Sequence, residues 1–313
     1  MAGVLLFALF AGFNDAGALV GLGLRARPGV LAAMAVLVVA VVLAPLAVGT
    51  AVAATLTGRL ASFGTQTGRG PLLVGIAAAV AVTAALAARG LPTSLTLALV
   101  GGIAGAGTAV RAPVDWAVVG GVLAAGALAP LAGGLVSAAV ARLLRAAPAP
   151  SDAGRRLRWS HAAAFAAVCL AYGANDGQKL LAVYAAVHGG APDRYATAPG
   201  ALALLAGGFA LGGLLGLPRA VASMGGGLTA LRSDAVVVTE LSGAAVVLGT
   251  AAAGAPVSMT QSISGALVGT GLFAGTRRVR WRGVLRLGRA WVLTLPAAFA
   301  VAAAGCLVPS ALR

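Results

Sequence analysis

The sequence Gly-Ala-Asn-Asp-Gly-Gln-Lys occupies residues 173–179, inside a long apolar run from Ala162 to Val187. Its last five residues bring together two amides, a carboxylate and an ammonium. Each ionisable side chain inserted at the centre of a membrane costs about 2.5–3.5 kcal/mol. A shorter version, Gly-Phe-Asn-Asp at residues 12–15, lies in the first apolar run of the chain. Ionisable groups within membrane segments mark functional sites, so this pair of motifs is the first candidate.

The overall composition is that of a polytopic membrane protein. Hydrophobic residues make up 60% of the chain and charged residues only 9%, whereas a soluble domain carries about 25% charged residues. A membrane-spanning helix needs about 20 apolar residues. The sequence has about ten such runs, at 1–24, 28–57, 71–88, 91–110, 115–141, 161–190, 198–218, 234–254, 255–275 and 290–310. They lack the alternation of barrel strands, so we predict an all-α membrane protein.

The runs form two halves of five, which repeat one another. A polar linker at 142–160 separates the halves at 1–141 and 161–313. The Asn-Asp motif occurs in both halves, and Leu91–Thr96 matches Ala255–Thr260 at nearly the same sequence offset. Because five is an odd number, the second half would enter the membrane from the opposite face. We therefore predict two inverted repeats, in which some of the segments are re-entrant or all of them cross.

The net charge of +15 comes from arginines in the gaps between apolar runs. If the segments alternate sides, sixteen arginines fall on the side of the linker and five on the other. The positive-inside rule then places the linker in the cytoplasm and both termini outside, in the cytoplasmic (inner) membrane of a cell. The basic charge thus indicates a lipid environment, and a nucleic-acid partner is not expected.

Two repeated Pro-x-Ser-x-Thr sequences are candidates for anion binding. Proline favours the first turn of a helix, where hydroxyl and free backbone N–H groups surround the positive end of the helix dipole. Such a cup suits an oxyanion, although ordinary N-capping by the serines is the alternative. The candidate substrate-binding residues are Ser94, Thr96, Ser258 and Thr260, together with Gly177, Gln178, Lys179 and Gln261.

The two Asn-Asp motifs are candidates for cation coupling. With amide and carbonyl oxygens from a locally unwound stretch around Asp176, the carboxylates could hold Na+ or carry a proton. A buried polar pair that joins two helices is the structural alternative. The candidate residues are Asn14, Asp15, Asn175, Asp176 and Glu240, with Asp15 and Asp176 as Na+ ligands if the coupling ion is sodium.

Two more side chains have open roles. Lys179 follows Asp176 by one helical turn, so it either neutralises this aspartate or faces the anion. His161 lies near the end of its apolar run, and we predict an interfacial position for it.

The sequence carries no constellation typical of an enzyme. It has no P-loop, no nucleophile–histidine–acid set at one depth, and no cysteine–histidine metal site. We therefore expect neither catalysis nor a cofactor beyond the coupling ion, Na+ or H+.

At this point the motifs resemble a known family, the inorganic phosphate transporter (PiT) family. The resemblance rests on residues 173–179, on Pro-Val-Ser-Met-Thr-Gln at 256–261, and on Gly225–Leu231 ahead of Glu240. It implies a symporter of phosphate with Na+ or H+, built from inverted repeats and usually a homodimer. By the same resemblance the Asn-Asp motifs line the ion and phosphate sites, and the Ser and Thr residues donate to the anion.

The first half departs from the family pattern. Ala18 replaces an asparagine, Leu97 replaces a histidine and Leu95 replaces a threonine, while in the second half Met259 also replaces a threonine. Each change removes a polar group from the expected site. Sulfate therefore stays open as an alternative substrate, and a passive anion channel or a non-transporting receptor as an alternative function.

Overall fold

The computed structural model describes residues 1–17, 19–20, 29–63, 69–89, 91, 93–146, 153–223, 233–275 and 279–311. Within these ranges the chain is helical and contains no β-strand, as the composition predicts. The helices are α1 (Ala2–Ala11), α2 (Val30–Val48), α3 (Ala51–Ala54), α4 (Gly70–Ala88), α5 (Leu95–Ala109), α6 (Trp116–Ala146), α7 (Ala153–Tyr172), α8 (Gln178–His188), α9 (Pro192–Ala196), α10 (Pro199–Ser223), α11 (Ser233–Ala252), α12 (Met259–Ala274) and α13 (Trp281–Ala311).

Three π-helical turns continue helices in the described residues. They follow α1 at Gly12–Ala16, α3 at Thr55–Arg59 and α7 at Gly173–Gly177. The first and third contain the two Asn-Asp motifs. Such turns are rare and occur frequently at functional sites.

Six described helices are long and apolar enough to cross a membrane, namely α2, α4, α6, α10, α11 and α13. Helices α5 and α12 contain only 15 and 16 residues. At a rise of about 1.5 Å per residue, each is shorter than the roughly 30 Å hydrocarbon core. The residues before them, around Ser94 and Ser258, have extended backbone. The chain is thus a multi-pass membrane protein, with two short apolar helices among its long ones.

Several predicted segment boundaries are wrong. The run at 28–57 is not one helix, because α2 ends at Val48 and Gly49, with a φ of 91°, interrupts the helix before α3. Helix α13 begins at Trp281 rather than near residue 290. Helices α6 and α7 extend into the predicted linker, which leaves residues 147–152, outside the described ranges, between them. Arginine-rich sequence misleads here, because arginine is a good helix former.

The two halves pack on one another reciprocally. Helix α5 of the first half packs mainly against α13 of the second, and α12 packs mainly against α6. Likewise α10 packs against α1 and its π turn, while α2 packs against α7 and its π turn. The correspondence between the halves therefore extends from the motifs to the helix contacts around them.

Glycines allow these helices to approach closely. A Cβ at Gly101 or Gly105 would overlap the carbonyl oxygen of Leu295 or Phe299 in α13. In the other half, a Cβ at Gly265 or Gly269 would overlap backbone atoms of α6. Both pairs lie at matching positions of the repeat, so the same close crossing occurs twice.

Candidate functional site

The second Asn-Asp motif lies entirely in the buried π turn Gly173–Gly177. The sequence predicts local unwinding here, but the backbone stays helical and widens instead. Its two glycines face α2, where a Cβ would overlap the carbonyl oxygens of Ala40 and Val41. Close contact with α2 therefore requires glycine at both ends of the motif. Gly177, a candidate substrate-binding residue, packs against α2 in this way.

Asn175 anchors the extended segment ahead of α12. Its amide nitrogen donates to the Val257 carbonyl oxygen at 2.7 Å, and its amide oxygen accepts from the Val257 N–H at 3.1 Å. The same nitrogen donates to Asp176 Oδ2 at 2.8 Å. Non-helical backbone at membrane depth needs such partners. Asn175 thus holds the third π turn and the start of α12 together.

Lys179 joins the two halves at this point. Its Nζ forms an ion pair with Asp176 and donates to the Thr96 hydroxyl at 2.6 Å and the Val257 carbonyl at 2.9 Å. Thr96 in turn donates to the Val257 carbonyl at 2.9 Å. Only 1% of Lys179 is exposed. The pairing with Asp176 suggested by their spacing is therefore present, and the ammonium contacts both repeats.

Asp15 lies in the first π turn and belongs to the same polar region. Its carboxylate accepts from the Asn14 amide at 2.8 Å and from the Tyr172 hydroxyl at 2.9 Å. Tyr172 directly precedes the second Asn-Asp motif in the chain. The two motifs, which belong to opposite halves of the sequence, therefore meet. Tyr172 was not among the predicted site residues, although its position directly before the second motif could have indicated it.

The serines of both Pro-x-Ser-x-Thr sequences are N-caps. Ser94 Oγ accepts from the Leu97 N–H at 3.3 Å, and Ser258 Oγ accepts from the Gln261 N–H at 3.4 Å. Ser258 also hydrogen-bonds Thr260 through their hydroxyls at 2.8 Å. Both serines thus act as N-caps in this structure. The N-termini of one helix from each half still lie beside the Asn-Asp motifs.

Thr93 is a further polar residue at the start of α5 that the sequence reasoning missed. It is only 6% exposed, and its hydroxyl has no hydrogen-bond partner among the described residues. Its counterpart in the repeat is Val257. A buried hydroxyl without a partner is costly, which makes Thr93 a candidate donor to a ligand.

The Gln178 side chain bonds to backbone groups and is not free to face a ligand. The Gln178 oxygen accepts from the N–H groups of Val52 and Ala53, and its nitrogen donates to the Ala174 carbonyl. These bonds cap the N-terminus of α3. Gln261 is buried in the first turn of α12.

Glu240 is buried in α11 next to His161 of α7. The Glu240 carboxylate lies 3.5 Å from His161 Nδ1, and both side chains are almost fully buried. His161 does not lie at the start of its helix, because α7 begins two turns earlier, at Ala153. The first turns of α7 contain arginines, so the start of this helix was not recognised from the apolar run.

A Na+ ion at either Asn-Asp motif would need neutral oxygen ligands. In the part of the chain that the structure describes, no three His, Cys, Asp or Glu side chains cluster as metal ligands. The Tyr172 phenol oxygen lies 2.9 Å from Asp15 Oδ2, and the Thr96 hydroxyl and Val257 carbonyl contact the Lys179 ammonium that pairs with Asp176. Such oxygens suit hard cations.

The match to a known protein family lies mainly in the second half of the chain. Residues 148–302 match the sequence profile of the phosphate transporter family. A "Probable low-affinity inorganic phosphate transporter" of Mycobacterium leprae (strain TN) is 31% identical over 218 residues, which cover 66% of this chain and 52% of that protein. Its namesake in Mycobacterium tuberculosis (strain ATCC 25618 / H37Rv) is 33% identical over 217 residues, with the same shares covered. The chain thus spans about half the length of these curated relatives.

A solved structure described as "The sodium-dependent phosphate transporter" has a similar fold. The TM-score is 0.80 at 20% sequence identity, with 100% of this chain and 98% of that chain covered. At this identity the likeness concerns the fold alone. The relatives are named as transporters and not as enzymes, in agreement with the prediction of a non-enzymatic protein.

Proposed function

Because residues 148–302 match the phosphate transporter family, we propose that this chain belongs to that family and is a secondary symporter of inorganic phosphate driven by Na+ or H+. The observation that carries the proposal is the meeting of both motif pairs at one place. Asn175, Lys179 and Thr96 converge on the Val257 carbonyl, so the second Asn-Asp motif touches the starts of α5 and α12. Opposed helix N-termini beside buried carboxylates are the arrangement expected for an anion carried with a cation.

The anion would bind between the N-termini of α5 and α12. First-turn N–H groups and the helix dipoles favour an oxyanion there. The hydroxyls of Thr93, Ser94, Thr96, Ser258 and Thr260 surround the two starts, and Gln261 lies in the same turn as Thr260. In each cap the serine Oγ accepts one N–H hydrogen bond, so the Ser94 hydroxyl and the hydroxyl pair of Ser258 and Thr260 can donate to the anion.

The coupling cation would bind at the Asn-Asp motifs. Around Asp15 the carboxylate, the Asn14 amide oxygen and the Tyr172 phenol supply oxygens. A proton could instead reside on the carboxylate. Glu240 with His161 is a second buried acidic group, located between α7 and α11.

Alternating access would follow from an inverted repeat. Reciprocal packing of α5 with α13 and of α12 with α6 supports a pseudo-twofold relation between the halves. Rocking of one repeat-built unit against the other would then expose the site to each side in turn. Residence in the cytoplasmic membrane as a homodimer, with the linker at 142–160 in the cytoplasm and both termini outside, completes the proposal.

Uptake of radiolabelled phosphate into proteoliposomes tests this function. An inward Na+ gradient and an inward H+ gradient are imposed separately, with protein-free liposomes as the blank. We expect phosphate to accumulate above its equilibrium level under one of the gradients, and the Asp15→Asn variant to lose this accumulation. Equilibration without accumulation would identify a passive channel. Preferential uptake of labelled sulfate would identify a sulfate permease, and no uptake of either anion would reject transport.

A further inference from the structure

The ammonium of Lys179 sits in a shell of oxygens typical of a bound metal cation. Nζ contacts the Asp176 carboxylate, the Thr96 hydroxyl at 2.6 Å and the Val257 carbonyl at 2.9 Å. Carboxylate, hydroxyl and backbone carbonyl oxygens are the ligands that hard cations take in proteins. An ammonium has three protons, and these three contacts account for all of them. Lys179 in this position has no donor left for an anion.

The shell is held in place by bonds that do not involve Lys179. The Asn175 amide nitrogen donates to Asp176 Oδ2 at 2.8 Å and to the Val257 carbonyl at 2.7 Å. The Thr96 hydroxyl donates to the same carbonyl at 2.9 Å. These oxygens come from α5 of the first half and from the π turn and extended segment of the second. A positive charge at their centre therefore links the two halves.

The first-half motif differs at the matching position. When the two Asn-Asp motifs are aligned, Asp15 corresponds to Asp176 and Ala18 to Lys179. Ala18 lies outside the described residues, but an alanine carries no charge in any position. Among the residues that the structure describes, the hydrogen-bond donors to Asp15 are Asn14 and Tyr172, which are neutral. One buried carboxylate of the pair thus has an ammonium from its own motif, and the other does not.

From this contrast we propose that Lys179 is a built-in cation, which occupies the place of a monovalent metal ion in the second-half motif. An exchangeable coupling cation then binds only at the first-half motif, around Asp15. The coupling role of the cation at Asp15 rests on the proposed symport. The occupancy of the second-half site by Lys179 does not, because it is a property of the resting protein. It can be measured without any transport.

The test is equilibrium binding of radiolabelled Na+ to the purified full-length protein, with choline replacing Na+ to keep the ionic strength constant. The variant Lys179→Met removes the ammonium and leaves the oxygen shell open. We expect this variant to bind one more Na+ per chain than the parent protein. We also expect its melting temperature to rise with Na+ and not with choline, because Na+ then pairs with the buried Asp176. The double variant Lys179→Met/Asp176→Asn should lose both gains.

Each outcome decides the matter. If Lys179→Met folds and binds no additional Na+, the oxygen shell is not a cation site and the proposal fails. If Lys179→Met fails to fold even in Na+ while the double variant folds, Na+ cannot replace the ammonium, and the proposal fails as well. If Lys179→Met loses phosphate-dependent stabilisation and gains no Na+, Lys179 faces the anion instead.

Failure of this inference is separable from failure of the proposed function. Phosphate accumulation by the parent protein, measured as above, does not depend on the Na+ count of Lys179→Met. If Lys179→Met gains Na+ binding and the parent protein moves no phosphate, the built-in cation is supported and only the proposed transport is rejected.

Discussion

At the scale of single residues, the two asparagines of the repeated motif make different contacts. Asn175 is fully buried and makes three hydrogen bonds, two of them to the backbone of Val257. Asn14 is partly exposed, and its described side-chain bond goes to the neighbouring Asp15. The same residue type therefore stabilises a long-range contact in the second half and a local one in the first.

This difference predicts unequal effects of alanine substitution. Asn175→Ala leaves the Val257 N–H without its partner, and a buried unpaired group costs about 1–3 kcal/mol. We expect a clear fall in melting temperature and in phosphate uptake. Asn14→Ala is the matched control and should lower the melting temperature less. Thermal unfolding of both detergent-purified variants measures this, and equal losses would contradict the assigned contacts.

Thr93 offers a test of the anion site that separates binding from stability. Its buried hydroxyl has no described partner, so Thr93→Val, which copies Val257 of the other half, should leave the ligand-free melting temperature unchanged or higher. If the hydroxyl donates to phosphate, stabilisation by added phosphate should weaken.

Thr83→Val is the control for this substitution, because the buried Thr83 hydroxyl donates to the Ala79 carbonyl at 2.7 Å in α4. It should leave the phosphate effect intact. A phosphate response of Thr93→Val equal to that of the parent would remove Thr93 from the site.

At the scale of helices, α12 crosses α6 at a distance that only glycine allows. A Cβ at Gly265 would collide with backbone atoms of Pro130, which cannot move aside as a side chain could. Gly265→Ala should therefore force the helices apart, lower the melting temperature strongly and reduce uptake. Gly120→Ala in α6 is the control, since nothing lies within 4 Å of its added Cβ. Alanine favours a helix by up to about 1 kcal/mol over glycine, so this control should be neutral or more stable.

The contact between α7 and α11 gives a second prediction at this scale. His161 and Glu240 lie 3.5 Å apart and are buried. Glu240→Gln and His161→Gln should each destabilise the protein, because each removes one member of a buried pair. The double variant should cost less than the sum of the two, and the difference is the coupling energy. Additive changes in unfolding free energy would mean that the pair does not interact.

The helices also show what a sequence can and cannot predict. The long apolar runs and the repeated motifs were sufficient for an all-helical membrane protein, for the match of Leu91–Thr96 with Ala255–Thr260, and for the Asp176–Lys179 pair. The π turns were not predicted, and the close approach of α2 to Gly173 and Gly177 of the third one is visible only in the folded protein. The Tyr172–Asp15 and His161–Glu240 contacts join residues that lie far apart in the chain. The position of Tyr172 beside the motif marks it as a candidate, but a single sequence does not identify its partner.

At the scale of the whole molecule, the orientation of the two halves decides whether the repeat is inverted. An odd number of crossings in residues 1–141 puts the linker and the N-terminus on opposite sides of the membrane, and the arginine distribution favours a cytoplasmic linker.

A cysteine-free background, with Cys169 and Cys306 replaced by alanine, allows single cysteines to report the side. Gly3→Cys, in open surroundings near the N-terminus, should react with a membrane-impermeant maleimide on intact cells. Ser151→Cys, in the linker, should react only after lysis. Labelling of both in intact cells, or of neither, would put them on the same side. The halves would then be parallel repeats, and access could not alternate by exchange of inverted conformations.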